Sequence, residues 1–427
     1  MATDGRAALP VDGSVVVVGA SLAGWRAVET LRTEGFEGDI TLIGDEPHLP
    51  YDRPPLSKQI LSGAWPAEKA VLADRRRSSE LRVHEVLPRR AVRLDVSGRR
   101  VETDDGAVHA GDGVIVATGA TPRHLPGTED LGPKDGLFTL RTLDDALALK
   151  TAIADRLAGD INARCRVVVI GAGFIGAEVA STCAGLGCRV TVIEAMDIPL
   201  TNVLGPVIGA HCASLHQAHG VDLRVGRGVA DVVRAPPGPR QGKLIVETDR
   251  GEGLEADVVV VGIGVVPNTQ WLDGSGLTID NGVVCDHALF AADRVVAAGD
   301  VARWQWRHDG LEEMIRIEHW QLAAEAGVAA ARSLMAGRDE ALAFTPIPYF
   351  WSDQFDVRFQ VLGNPSGTDD MVLVDGTLAE GKFVALFGRA GRLRAVMAIG
   401  RPRQLMGYRT LLESGSSWDD ALTHAVN

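Results

Sequence analysis

Twice in this chain, about 150 residues apart, a short β-branched run drives straight into a glycine turn. The first copy spans 14–46 (SVVVVGASLAGWRAVETLRTEGFEGDITLIGDE) and the second 165–195 (CRVVVIGAGFIGAEVASTCAGLGCRVTVIEA). Each reads strand, tight turn, helix, strand. Runs such as Val15 to Val18, apolar at every position, suit strands buried on both faces of a parallel sheet. Ala23, Ala27, Val28 and Leu31 then recur near helical spacing, and 39–43 returns as the second strand. A chain opening two such units is committed to an α/β class with two Rossmann-like nucleotide-binding domains. At roughly 150 residues per domain its 427 residues leave room for a third.

The second turn carries the full GxGxxG spacing at Gly171, Gly173 and Gly176. Gly171 permits the tight turn, Gly173 lets a pyrophosphate lie against the backbone, and Gly176 lets helix and strand pack closely. The helix N-terminus offers free N–H groups to the phosphates. Glu194 follows Gly171 by 23 residues, where a carboxylate accepts both ribose hydroxyls and opposes a 2′-phosphate. Ala195 and Met196 add no cation, so NADH is expected over NADPH. In the first turn Gly19 and Gly24 are present but Ser21 holds the middle position, and Asp45 supplies the acid. Three shorter strands also end at glycine, in 113–123, 257–268 and 293–302. They offer Gly119 with its neighbours Thr118 and Arg123, then Gly264, then Gly299, as further cofactor-contacting positions.

Between and after these units, 92–109 reads as antiparallel strands, and a similar meander with a Pro/Gly-rich loop at 235–242 follows the second unit. Residues 310–340 are expected to be helical, with Ala323, Ala324, Gly327, Ala329 and Ala330 allowing close packing. Short strands follow Pro346 in an α+β tail, and 414–417 reads as a fraying end. Trp25 is expected in the core, and Trp304 and Trp306 in a packed loop.

The net charge of −13 is the wrong sign for a general nucleic-acid binder. The apolar runs at 15–18 and 167–170 fall far short of the roughly 18 residues that span a bilayer, and Asp4 and Asp12 argue against a cleaved leader. Five scattered cysteines form neither a CxxC nor a disulfide framework, which favours the cytoplasm. Cys183 and Cys188 are expected to point to different faces. No HExxH occurs, and His211, His216 and His219 read as ordinary exposed helix positions, so no metal is expected. Charge is unevenly spread: 69–100 holds ten Lys/Arg against four acids, and 386–410 holds six Arg and no acid.

The ordered segments VVVVGASLAG, LIGDEPHLPYDRPPLSK, ATGATPR, GAGFIGAEVA, VGIGVVPNT, AAGDVA, EHW and PYFWSDQF carry a resemblance over nearly the whole chain. The chain resembles the FAD-dependent NADH:ferredoxin reductases of the putidaredoxin reductase and biphenyl-dioxygenase type. More distantly it is similar to apoptosis-inducing factor and rubredoxin reductase. That likeness implies two Rossmann-like domains of glutathione-reductase type plus a C-terminal α+β domain. FAD would occupy 1–140 with 270–340, NADH 141–269, and the tail 341–427. It implies that Asp45 holds the FAD ribose and that Arg53 and Lys58 meet the flavin side. Lys58 would pair with Glu178, Asp300 would hold the ribityl chain or its phosphate, and Trp320 would lie near the isoalloxazine. Phe350 and Trp351 would come in from the third domain. The departure from the family is Ser21.

Hydride transfer from NADH to a flavin needs positioning rather than a protein acid or base. Residues 40–75 contain no cysteine, so the dithiol chemistry of disulfide reductases and the single-thiol chemistry of their relatives are both excluded. Electrons must then leave to an external one-electron protein, expected to be an acidic [2Fe–2S] ferredoxin. The basic islands nominate Arg75, Arg76, Arg77, Arg392 and Arg394 as docking contacts. The protein itself is expected to be a monomer or weak homodimer. A redox flavoprotein with a binding or sensing role, like apoptosis-inducing factor, is the alternative class.

Overall fold

Val15 to Val18 are almost sealed from solvent, as a run apolar on both faces requires, and they lie in the middle of a parallel sheet. The computed structural model describes residues 8–159, 165–237, 242–308 and 311–426. Asp4 and residues 238–241 of the Pro/Gly-rich loop lie outside them. The chain divides into two compact units. The first comprises Met1–Asp52, Ala70–Thr121 and Val266–Pro348, the second Arg53–Lys69, Pro122–Val265 and Tyr349–Asn427.

In the first unit the six-stranded sheet runs, in spatial order, Phe290–Ala292, Val295–Ala297, Gly113–Val116, Ser14–Val18, Asp39–Ile43 and Val83–Val86. All pairs are parallel except the outermost one, Phe290–Ala292 with Val295–Ala297. The helix Leu22–Thr33 follows the first turn, with Trp25 buried as expected, and packs against the helix Trp320–Ala336. Their approach is close: a Cβ on Gly327 would stand 2.2 Å from the Ala23 carbonyl oxygen. The expected antiparallel strands form a three-stranded sheet, Ala91–Asp95, Arg100–Thr103 and Val108–Ala110.

The expected helix at 310–340 is corrected at its start. Leu311–Ile315 is a strand, paired antiparallel with Ala302–His308, and the helix begins only at Trp320. The period-2 pattern of Trp304, Gln305 and Trp306 supplies a partner for LEEMI and overrides its helical propensity. Trp304 and Trp306 therefore lie on a strand rather than a loop. Both are buried, and their indole N–H groups donate to the carbonyls of Phe344 and Pro346 at 3.2 and 3.1 Å.

The second unit repeats the parallel design with Asp222–Arg224, Arg189–Ile193, Arg166–Ile170, Val258–Val261 and Leu137–Phe138 in spatial order. A three-stranded antiparallel sheet, Val229–Arg234, Leu244–Thr248 and Gly253–Ala256, accounts for the second meander. The tail contributes five antiparallel strands whose core holds Phe359, Phe383 and Phe387. The end at 414–417 does not fray. Leu393 N–H donates to Ser416 O, Trp418 N–H donates to Gly391 O, and the helix Trp418–Val426 follows. Gly388 makes room for that helix, since a Cβ there would meet the Trp418 ring at 2.5 Å.

Among the described residues no helix is long and apolar enough to cross a membrane.

Candidate functional site

The two glycine turns obey the same steric rule. Gly19 has φ +120° and a Cβ there would stand 2.1 Å from Ala117 O; one on Gly24 would stand 1.9 Å from Gly19 O. Gly171 has φ +100°, and the corresponding distances are 2.4 Å from Gly262 O and 2.1 Å from Gly171 O for Gly176. First and third positions are thus closed to any side chain by backbone. The middle positions differ. Around Gly173 nothing lies within 4 Å of a built Cβ, an open cradle where a ligand backbone can approach. Ser21 fills the equivalent position as the residue capping the helix Leu22–Thr33, its carbonyl accepting from Trp25 N–H at 2.9 Å.

In the first unit Asp45 stands exposed just past the strand Asp39–Ile43. Gly299, with φ +73°, opens a short turn that carries Asp300 beside the N-terminal glycine helix, where a Cβ would be 3.0 Å from Ala23 Cβ. Arg316 Nη1 donates to Asp300 O at 3.1 Å. Trp320 begins its helix and donates from Nε1 to Asp52 Oδ1 at 2.8 Å, which fixes the indole plane. Thr118 and Gly119 are tied to Asn268: Thr118 Oγ1 donates to Asn268 O, Asn268 Nδ2 donates to Thr118 O, both at 2.8 Å, and Asn268 N–H donates to Gly119 O. Asn268 and Asp52 both lie within the family-like segments 261–269 and 42–58, but no local pattern marks either for a role.

In the second unit Glu194 ends its strand buried, with both oxygens fixed by main chain. Oε2 accepts from Ala172 N–H at 2.8 Å and Oε1 from Met196 N–H at 2.9 Å. The acid is thereby tied to the glycine turn itself. Ile175, Met196 and Ile263 are large apolar side chains left exposed in the segments that form this turn and strand end. Arg123 is exposed and runs along Gly264, its N–H donating to Gly264 O at 2.9 Å. An open middle glycine, a helix N-terminus, an anchored carboxylate and an apolar flank together fit a dinucleotide.

Lys58 lies on a π-helical turn, Leu56–Ile60, a geometry frequent at functional sites. Its Nζ stands 2.9 Å from Glu178 Oε1, with the lysine side chain 12 % exposed and the glutamate 4 %. The same Oε1 accepts from Ser352 Oγ at 2.8 Å and from Asp353 N–H at 3.2 Å, and Oε2 accepts from Ser57 Oγ at 2.6 Å. Glu178 is therefore a fully engaged buried carboxylate joining three stretches of chain. Arg53 donates from Nη1 to Arg141 O at 2.7 Å. Phe350 is turned into the core of the tail sheet, edge-on to Phe174 at 4.9 Å between ring centroids, whereas Trp351 is half-buried on the other face beside Tyr349.

Two readings of unused residues are corrected. Cys183 and Cys188 do not diverge: the helix Phe174–Gly185 ends before Cys188, and Cys188 N–H folds back to Cys183 O, bringing both into one core cluster with Cys165. A hydrogen bond with Cys188 and burial push the Cys165 thiol far up, away from thiolate chemistry. His216 is not an exposed helix position but 2 % exposed and edge-on to Phe355; burial, with a smaller push from His219, lowers it to about 4. Among the described residues no three His, Cys, Asp or Glu are grouped to hold a metal ion.

Residues 13–327 match the pyridine nucleotide-disulphide oxidoreductase family and 349–425 a reductase C-terminal family. The chain is 36 % identical over 400 residues to rhodocoxin reductase of Rhodococcus erythropolis, covering 93 % of this chain and 89 % of that one. It is 36 % identical over 406 residues to the ferredoxin–NAD(+) reductase component of a Burkholderia cepacia anthranilate 1,2-dioxygenase system, covering 95 % of each. The reductase of a covalent putidaredoxin reductase–putidaredoxin complex superposes with a TM-score of 0.86 at 30 % identity, over 97 % of this chain and 98 % of that one.

Proposed function

The chain belongs to the FAD-dependent NADH:ferredoxin reductases, and from that premise we propose how its own residues divide the work. It is an oxidoreductase that takes a hydride from NADH and delivers electrons to a [2Fe–2S] ferredoxin of a cytochrome P450 or dioxygenase system. Bound FAD supplies the conversion of one electron pair into two single transfers.

We assign FAD to 1–140 with 270–340, held through the Gly19–Ser21–Gly24 turn, Asp45, Gly299 and Asp300, with Trp320 at the ring system. We assign NADH to 141–269, where Gly171, Gly173 and Gly176 take the pyrophosphate and Glu194 the adenosine ribose. Residues 341–427 form the third domain. By the family likeness we assign to Lys58, held in place by Glu178, the role of a fixed positive charge toward the flavin, and to Arg53 and Trp351 flavin contacts. Phe350, which packs edge-on to Phe174, keeps its assignment to the flavin side from the family likeness alone. The observation that carries this reading is the pair of sterically closed glycine turns, each followed by a strand-end carboxylate.

The partner is a ferredoxin. We place acidic-ferredoxin docking at Arg75, Arg76 and Arg77, with Arg392 as a separate contact. Arg394 is withdrawn from that set because it is only 8 % exposed. All five cysteines are buried free thiols, in keeping with a cytoplasmic protein, which we take to be a monomer or weak homodimer. The test is purification followed by NADH-driven reduction of a panel of purified [2Fe–2S] ferredoxins. One FAD per chain and rapid turnover with at least one acidic ferredoxin are expected. A colourless protein that cannot be reconstituted with FAD would overturn the residue assignment.

A further inference from the structure

In sequence, Ala195 and Met196 add no cation directly after Glu194, yet the fold brings the main chain of two arginines against it. Glu194 N–H donates to Arg224 O at 2.9 Å, Gly226 N–H donates to Met196 O at 2.9 Å, and Arg227 N–H donates to Glu194 O at 3.0 Å. Residues 224–227 thus run beside 194–196 at the carboxyl end of the parallel sheet, the end where an open α/β sheet receives its ligand. Arg250 reaches the same segment, donating from Nη2 to Gly226 O at 2.6 Å. Guanidinium groups at this edge are what a 2′-phosphate would need.

Here two of them are already occupied. One Glu252 oxygen takes Arg224 Nη1 and the other takes Arg227 Nη1 at 2.6 Å. Arg224 is held on its other side by Asp222 Oδ2, 3.0 Å from Nε and 2.8 Å from Nη2. Glu252 is fixed in turn, its N–H donating to Thr248 Oγ1 at 3.2 Å and its carbonyl accepting from Thr248 N–H at 2.9 Å. Acids outnumber bases around the segment: Asp249 accepts from Gly228 N–H at 2.9 Å, and Asp197 lies against Gly226.

We propose that Glu252 is a specificity-determining residue that locks Arg224 and Arg227 into one clamp and so withholds them from a 2′-phosphorylated nucleotide. Glu194 rejects the phosphate by its own charge; Glu252 removes the cations that would compensate. This inference rests on the reading of the second glycine turn as the NADH site. It predicts that nucleotide preference can be moved from a position that never touches the nucleotide.

The test compares wild-type holoenzyme with Glu252→Gln and with Glu252→Gln/Arg224→Ala/Arg227→Ala. Binding of AMP and of 2′,5′-ADP is measured by calorimetry, and flavin reduction by NADH and NADPH by stopped flow. Glu252→Gln should bind 2′,5′-ADP about two- to fivefold more tightly, the range of one exposed charge contact, and raise the NADPH:NADH ratio of reduction rates by the same factor. AMP affinity should stay at the wild-type value, and the gain should vanish in the triple variant and shrink with salt. Unchanged 2′,5′-ADP affinity in Glu252→Gln, or a gain that survives loss of both arginines, overturns the proposal. If wild-type protein binds neither AMP nor NADH, the site reading itself fails and takes the proposal with it.

Discussion

Lys58 and Glu178 illustrate what a buried ion pair needs beyond proximity. Removing two charges from water costs several kcal/mol per ion, and the pair is stable only when its remaining lone pairs are met. Glu178 meets that condition with three donors besides Lys58: Ser57 Oγ, Ser352 Oγ and the Asp353 N–H. Replacing Glu178 by Gln leaves Lys58 as an uncompensated buried cation and should cost about 3–5 kcal/mol of stability. Ser352→Ala removes one donor and should cost only about 1–2 kcal/mol. The positioning role is read separately from stability. In Ser352→Ala the flavin spectrum and the rate of reduction by NADH should move in the same direction as in Glu178→Gln, but less. Wild-type spectra and rates in both variants would make the pair purely structural. The pair itself follows from the family likeness, whereas the two serines, Ser57 in 42–58 and Ser352 in 348–355, carry no role that the likeness implies. Their function depends on which carboxylate the fold delivers to them, and no local pattern encodes that.

The elements legible in the sequence are those whose signal is local. Both turn-and-helix units could be read because β-branched runs, glycine spacing and helical periodicity all lie within about thirty residues. What escaped is set by partners distant in the chain. Leu311–Ile315 became a strand because Ala302–His308 lies across from it, His216 was buried by Phe355 of the tail, and Arg224 and Arg227 reached Glu194 through strand order. Gly327 shows a small residue whose reason was only half visible. Helical spacing marked it as a packing position, but its contact with the Ala23 carbonyl makes it obligatory. Gly327→Val should therefore separate the two helices and cost roughly 2–3 kcal/mol through overpacking, despite the better helix propensity of the new residue. Gly185→Ala is the matched control: nothing lies within 4 Å of its Cβ, so stability should hold or rise. Urea unfolding of both variants checks the contrast. A Gly327→Val protein as stable as the control would mean that the helix packing yields at little cost.

At the scale of the molecule, the acidic ferredoxin we propose would have to be drawn to an acidic chain by local charge, and the fold edits the charge that the sequence counts. Of the island at 69–100, Arg76 and Arg77 share Glu80, Arg77 also approaches Glu29, and Arg89 is paired with Asp105. Arg75 is exposed and Arg76 keeps 85 % of its side chain in solvent, so this helix still presents positive charge outward. Reversing Arg75, Arg76 and Arg77 to Glu should lower kcat/KM for ferredoxin by about tenfold or more at low ionic strength. The loss should narrow as salt rises, because screening already weakens the wild-type attraction. Flavin reduction by NADH should hardly change, since that half-reaction requires no docked protein. Because Arg77 is tied to Glu29, the Arg75→Glu/Arg76→Glu pair serves as a second variant that leaves this contact intact, and it should retain most of the effect. Arg392→Glu tests the other contact independently. Wild-type ferredoxin kinetics in all of these variants at low salt would reduce both islands to solvated surface. A parallel fall in the NADH half-reaction for the triple variant but not the double would locate the damage at Glu29 and leave the double variant to decide the docking site.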